Sequence, residues 1–395
     1  MAQVRVRKRG KTYSYIFEAG KIDGKRKVVE KGGYATKGEA YNAGVEAYND
    51  FRHGNIGITS EAITLKDFMR TWLENVVKQN VKPTTLQNYR SNAEKHIIPI
   101  LGEMKVQELT PAILDKWIQK LSKKGFSFGF ISGLHALIRQ ALDHAVYPAQ
   151  LINSNPAVYI KVPRNAPRNI VKRHIISQER FRELLEKNPF STPYYIPFLL
   201  LYHTGMRLGE VLGLTWDDID FKAKKINVRR QIIYLHKLGN FLTELKTKNS
   251  RRYIIIDDFL IRELQRWQNQ QAENEKQLCG KYICIYKDSE GQIKRQSKKI
   301  PCEGERVYFV CIKATGRLVW RQEVISTLIS EGLNAHSFRH THATQLIEGG
   351  AKAKAVAGRL GHTNTQITQN LYTHNTLKLQ EEAAAIFAKN LQTNI

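Results

Sequence analysis

The sequence predicts an α+β multidomain protein: a small N-terminal three-stranded sheet plus one helix, then an all-helical unit, then a mixed, mainly helical unit with a β-hairpin region. Three observations predict it. Apolar residues alternate at every second position near the N-terminus, recur at helical spacing from residue 64, and mix the two periods after residue 176. The 395 residues suffice for two or three domains. A proline-spaced basic stretch at 161–175 separates the second unit from the third.

Residues 1–58 carry the alternating runs Val4-Arg5-Val6-Arg7, Tyr13 to Glu18 and Lys27 to Glu30, with turn residues Lys21 to Lys25 between the last two. Thr36-Lys37-Gly38-Glu39 reads as a capping box that opens a helix carrying Ala40, Ala43, Ala47 and Tyr48. Residues 64–160 read as four helices. Thr64 caps the first, Pro83 opens the second, Thr110-Pro111 starts the third, and the fourth runs from near Phe126 to Tyr147-Pro148. From Ser177 onward, helices through Leu184 and from Ile196 to Tyr202 precede strand-like runs at 225–228, 231–234 and 252–256. Gly205 stops the second of those helices, and the chain from about Ser337 reads as helical.

Composition narrows the function. Apolar residues at 42% and charged residues at 25% are ordinary for a globular chain, which excludes wholesale disorder. The balance of 62 Lys+Arg against 36 Asp+Glu gives +26, and a partner for so basic a protein is a polyanion, nucleic acid first. Arg5, Arg7, Lys8, Arg9 and Lys11 precede any acidic residue, and Lys161, Arg164, Arg168, Lys172 and Arg173 occupy the 161–175 stretch without one. Both sets suit phosphate contact, and both also suit a solvated basic segment. No run approaches a membrane span, and Met1 to Arg5 has no apolar run behind its charges. With no export signal and only four cysteines, a disulfide framework is not expected and the expected location is the cytosol.

Four separated pieces of the last unit share cationic and imidazole side chains beside one tyrosine. They are Thr204 to Leu214 around Arg207, Leu245 to Arg252 around Lys246, His336-Ser337-Phe338-Arg339, and Leu360-Gly361-His362 with Tyr372 ten residues on. An arginine after a glycine turn, at a helix start, sits where an anion also meets free backbone N–H groups. The ordered set resembles the tyrosine recombinases of the phage integrase family: Arg, then Lys in a hairpin, then His-x-x-Arg, then Leu-Gly-His, then Tyr. The match covers the whole C-terminal unit. The helical unit is similar to the family's core-binding domain, and residues 1–58 resemble the arm-binding domain of integrases from temperate phages and conjugative transposons.

The resemblance implies the site. Arg207 and Arg339 would hold the non-bridging oxygens of a scissile phosphate, Tyr372 would attack phosphorus and leave a 3′-phosphotyrosine, His336 would accept the phenolic proton or serve as its hydrogen-bond partner, His362 would add a phosphate contact, and Lys246 would protonate the departing 5′ oxygen. Lys248 lies two residues from Lys246, and family position alone selects Lys246. His340 and His374 are expected to support structure or flank the site. The resemblance implies no metal, ATP or other cofactor. Its implied partners are double-stranded DNA at core-type and arm-type sites, further copies of the chain in a tetramer on DNA, an excisionase and a host DNA-bending protein. The implied activity is site-specific recombination that integrates or excises a mobile element. A catalytically inactive DNA-binding regulator and a type IB topoisomerase are the alternatives.

Several features have other readings. His336 and His340 have the i, i+4 spacing of a zinc pair, but Arg339 intervenes and no acidic residue stands near. All four cysteines, Cys279, Cys284, Cys302 and Cys311, fall in a stretch absent from the compact family pattern, with no C-x-x-C pair. They read as reduced core cysteines of a β insertion near 279–320, with strand-like runs at 282–286 and 307–311. Residues 377–391 read as an amphipathic helix that, by the family pattern, packs onto a neighbouring subunit.

Overall fold

A computed structural model describes residues 4–22, 25–52, 63–164, 166–168, 175–245, 250–301, 303–361, 385 and 388. The chain divides into two compact units, Met1–Ile170 and Val171–Ile395.

The first unit opens with an antiparallel sheet ordered β1 (Arg5–Arg9), β2 (Thr12–Ile22), β3 (Lys25–Tyr34). Val6 stands opposite Tyr15, and Tyr15 and Phe17 are buried with Val4 in a small core shared with Tyr34, Ala43 and Tyr48. Helix α1 (Lys37–Arg52) closes that face. The capping box forms as expected: Glu39 N–H donates to Thr36 Oγ1 at 3.2 Å, and Thr36 N–H donates to Glu39 Oε2 at 3.3 Å. Gly44 sets how close the helix lies, because a Cβ there would meet Val4 Cγ1 at 2.6 Å and Tyr15 Cβ at 2.7 Å.

The helical part contains four helices. Helix α2 (Leu65–Trp72) runs on through a π turn at Leu73–Val77, and α3 (Pro83–Asn92) through another at Ala93–Ile97. Helices α4 (Pro111–Lys123) and α5 (Phe128–Val146) complete it. Thr64, Thr110 and Ser127 cap three of them with their hydroxyls, and Pro83 and Pro111 occupy first-turn positions that need no N–H donor. Trp72, Trp117, Leu134 and Ile138 lie in the shared core. The basic stretch begins packed on this same core: Ala166 is buried, Phe128 N–H donates to Pro167 O at 2.9 Å, and the Arg168 guanidinium lies over the Phe128 ring. Lys172 and Arg173 lie outside the described residues.

In the second unit, Ser177 caps α6 (Gln178–Lys187), and the buried helix α7 (Tyr195–Thr204) ends at Gly205. Helix α8 (Leu208–Leu212) follows. Strands β4 (Ile219–Asp220), β5 (Lys225–Val228) and β8 (Arg252–Ile255) form one sheet, and β6 (Arg230–Leu235) pairs with β7 (Gly239–Glu244) as a hairpin. Helix α9 (Asp258–Leu278) leads to a sheet ordered β10 (Ile293–Ser297), β9 (Ile283–Lys287), β11 (Glu305–Arg306). Helices α10 (Arg321–Ser330), α11 (Ala335–Glu348) and α12 (Ala353–Leu360) follow.

Two expectations need correction here. The run 307–311 is not a regular strand: β11 ends at Arg306, beyond which Val307 N–H still donates to Ile285 O at 2.8 Å and Phe309 forms an isolated bridge with Thr215. The segment instead sinks into the core, where Trp267 Nε1–H and Gln271 Nε2–H both donate to Val310 O at 2.8 Å, so side chains satisfy a backbone group that a ladder would otherwise hold. The cysteines are also not uniformly core residues. Cys284 and Cys311 are buried, and burial pushes both thiols up, but Cys279 is exposed. Cys302 lies outside the described residues, as does the expected C-terminal helix apart from Ala385 and Ala388. Among the described residues no helix is long and apolar enough to cross a membrane.

Candidate active site

The site is organised by a glycine turn. Helix α7 is apolar from Ile196 to Leu201, and Gly205 ends it in the left-handed region at φ +65° while donating its N–H to Leu201 O at 3.1 Å. Two residues later Arg207 stands at the N-cap of α8. Its N–H donates to Glu210 Oε2 at 2.9 Å and its Nη1 to Glu210 Oε1 at 2.8 Å. The Arg207 side chain is 42% exposed, so its guanidinium remains open to a ligand.

Arg339 reaches the same turn from α11. Asn334 caps that helix by accepting from the N–H groups of His336 and Ser337. Arg339 lies one turn in, 3% exposed, donating Nη1 to Gly205 O at 3.0 Å and Nη2 to Leu360 O at 2.7 Å. Burial, and next the charge of Arg207, hold this guanidinium below the ordinary arginine range; Glu210 opposes that and Arg252 adds to it. A cation that lacks full compensation inside the fold favours an arriving anion. His336 is exposed on the first turn of the same helix.

Glu210 is the hub beneath these groups. It is 1% exposed and accepts from Arg252 Nη2 at 2.9 Å and Nη1 at 3.3 Å in addition to Arg207. Burial alone would raise its carboxyl pKa, but the Arg252 guanidinium overrides it and keeps the group below the usual range. Arg252 Nε also donates to Arg359 O at 2.6 Å, which ties β8 to the end of α12. Arg359 in turn donates Nε to His342 Nε2 at 3.0 Å and Nη1 to Ile255 O at 2.9 Å. His342 Nδ1 faces Tyr202 O at 2.9 Å, which requires the proton on Nδ1 and leaves Nε2 as acceptor. Burial, reinforced by Arg359, pushes the His342 pKa down to about 4.

The structure therefore brings Arg207 and Arg339 together beside the Leu360-Gly361 turn, with His336 on the same helix as Arg339. Lys246, His362 and Tyr372 lie outside the described residues. Sequence reasoning assigned no role to Glu210, Arg252, His342 or Arg359. Only Glu210 carried a signal, three residues after Arg207 where a carboxylate caps a helix start. In the first unit, Arg5, Arg7 and Arg9 alternate onto the sheet face opposite α1 and are exposed; Lys8, Lys11, Lys161, Arg164 and Arg168 are exposed as well. Arg9 is partly engaged, 3.0 Å from Glu30.

Comparison with known proteins agrees with this architecture. Residues 3–47 match the arm DNA-binding domain, residues 64–122 the phage integrase N-terminal SAM-like domain, and residues 177–378 the phage integrase family. A tyrosine recombinase XerC-like protein of Caldanaerobacter subterraneus subsp. tengcongensis is 29% identical over 380 residues, 93% of each chain. The ICEBs1 integrase of Bacillus subtilis is 28% identical over 314 residues, 77% of each chain. The Tn1549 transposon integrase, solved in complex with a circular intermediate DNA, superimposes with a TM-score of 0.64 at 18% identity, covering 82% of this chain and 99% of that one. With its last match spanning more than half its length, the chain belongs to the phage integrase family and is a tyrosine-type site-specific recombinase.

Proposed function

We propose that this protein cuts and rejoins DNA at specific sites to integrate or excise a mobile genetic element, using Tyr372 as its nucleophile. The observation that carries the assignment is the pairing of Arg207 and Arg339 on adjacent carbonyls, immediately before His362 in the sequence. Two guanidiniums in one place suit a phosphate whose non-bridging oxygens gain charge as phosphorus is attacked. The Tyr372 Oη–P bond forms and the P–O5′ bond breaks. The phenolic proton passes to His336, and Lys246 supplies a proton to the leaving 5′ oxygen. His362 contacts the same phosphate. A 3′-phosphotyrosine retains the energy of the broken bond, and the reverse attack by a 5′ hydroxyl reseals a strand.

Residues 1–58 serve as the arm-type DNA-binding domain, 64–160 as the core-binding domain, 161–175 as a basic linker and 176–395 as the catalytic domain. The exposed row Arg5, Arg7 and Arg9 supports the first assignment. The working assembly is a tetramer on two duplexes in the bacterial cytoplasm, on nucleoid DNA, with an excisionase and a host DNA-bending protein as partners. Nicked suicide duplexes made from the DNA flanking the gene test the reading. Wild type should form a covalent adduct in EDTA, whereas Tyr372→Phe should bind the same duplex and form none. An adduct with Tyr372→Phe would remove Tyr372 from its role.

A further inference from the structure

Hairpin β6–β7 ends at Glu244, and the proposed general acid Lys246 follows two residues later. Leu245 N–H still pairs with Arg229 O at 3.2 Å, so the ladder extends to the residue before Lys246. The hairpin is seated on the catalytic unit's core through Ile232 and Leu242, and among the described residues it forms a two-stranded sheet whose β7 edge pairs with no further strand. The turn between β9 and β10 occupies that edge. Leu242 N–H donates to Gly291 O at 2.8 Å, Phe241 forms a bridge with Gln292, and Gln292 Nε2–H donates to Leu238 O at 2.7 Å.

The turn is shaped for this contact. Asp288 Oδ1 accepts from Glu290 N–H and Gln292 N–H at 3.0 and 2.9 Å. Gly291 sits at φ +81°, and a Cβ there would lie 2.6 Å from Leu242 O. The other end of the module is anchored, since Cys284 and Ile285 of β9 belong to the catalytic unit's core. A sheet anchored in the core thus also holds the open edge of the hairpin.

The geometry points to the Asp288–Gln292 turn as a positioning device for the reaction: it braces the β6–β7 hairpin and thereby sets where Lys246 meets the leaving oxygen. This deepens the proposed function and rests on its assignment of Lys246. It also gives the stretch absent from the compact family pattern a task in its own chain.

The test uses leaving-group chemistry. A suicide duplex with sulfur in place of the bridging 5′ oxygen releases a thiolate, which needs no proton, so a defect in proton donation disappears on that substrate. Single-turnover cleavage is measured with the full-length protein on the oxygen and sulfur duplexes. Lys246→Ala provides the reference, and Gly291→Ala and Gln292→Ala are the test variants. Both test variants should slow cleavage of the oxygen duplex about tenfold or more, as expected when a reacting group is misplaced, and approach wild type on the sulfur duplex. Gln292→Ala adds no Cβ clash and keeps the question open to measurement should Gly291→Ala misfold. If Lys246→Ala is rescued by sulfur but Gln292→Ala is slowed equally on both duplexes, or on neither, the brace is wrong while the site assignment stands. If sulfur fails to rescue Lys246→Ala, the assignment of Lys246 falls and the brace falls with it.

Discussion

Arg207 and Arg339 donate to consecutive main-chain carbonyls: Arg207 Nη2 to Gly361 O at 3.4 Å and Arg339 Nη2 to Leu360 O at 2.7 Å. Residues 132 apart in sequence (339 − 207) are thus registered against one short turn. Gly361 adopts φ +69° there, and a Cβ would approach Arg252 Cδ and Nη1 to 3.1 Å. The turn that precedes His362 is therefore locked to both arginines and to the buried Glu210–Arg252 pair.

That buried pair should behave asymmetrically. Glu210→Leu or Arg252→Met alone strands a partner charge in the core, and each is expected to cost about 3–5 kcal/mol in denaturant unfolding. The double variant should recover part of that stability, because neither member of the pair is left facing an absent partner, while Arg207 and Arg339 still lose the Glu210 charge. It should still cleave DNA poorly, since the Arg207 N–H and Nη1 then lose their contacts to Glu210 and only the 3.4 Å contact to Gly361 O is left of those that place the guanidinium. A double variant as unstable as the worse single one would contradict the pairing.

Gly205 carries a second constraint. A Cβ would meet Leu360 Cδ2 at 2.7 Å and His342 Cδ2 at 2.9 Å, at a φ of +65° that side chains rarely adopt. Gly205→Ala should destabilise the chain by about 1–3 kcal/mol, read as a lower thermal midpoint, and should slow cleavage because Gly205 O also accepts from Arg339.

His342 predicts a specific pH response. Its folded pKa of about 4 lies below the usual histidine value, so between about pH 4 and 6.5 the unfolded chain binds more protons than the folded one. Stability therefore rises with pH across that window and is lost as pH falls through it, by up to about 3 kcal/mol. Protonation would also replace the lone pair that accepts from Arg359 with an N–H. Urea unfolding as a function of pH should show this slope in wild type and a flatter one in His342→Gln.

The sheet face carrying Arg5, Arg7 and Arg9 predicts a salt effect. Replacing all three by alanine should weaken binding to arm-type duplexes and reduce the log–log salt slope by at most about 3, less if Glu30 keeps Arg9 from a phosphate. Binding of core-type duplexes should change little. Equal loss on both would place these arginines in non-specific binding only.

Much of the architecture was legible where its cause is local. The caps at Thr36, Thr64, Thr110 and Ser177, the stop at Gly205 and the period change between units all depend on neighbours within a turn or two. The two arginines were legible as parts of an ordered family motif. The network beneath them was not, because Arg252 meets Glu210 across 42 residues and Arg359 meets His342 only after the helices pack. The run 307–311 misled for a related reason: a buried apolar run looks the same whether a continuous ladder or a mixture of isolated main-chain partners and side chains such as Trp267 satisfies its backbone.

The covalent step is the centre of the account, and its atom can be located directly. Adduct formed in EDTA on a nicked duplex is digested with nuclease and trypsin, and the peptides are weighed. The tryptic peptide from Leu360 to Lys378 contains one tyrosine, Tyr372. The account predicts nucleotide mass on that peptide, fragmenting to Tyr372. Nucleotide on any other peptide, or tight binding that never yields an adduct, would contradict it.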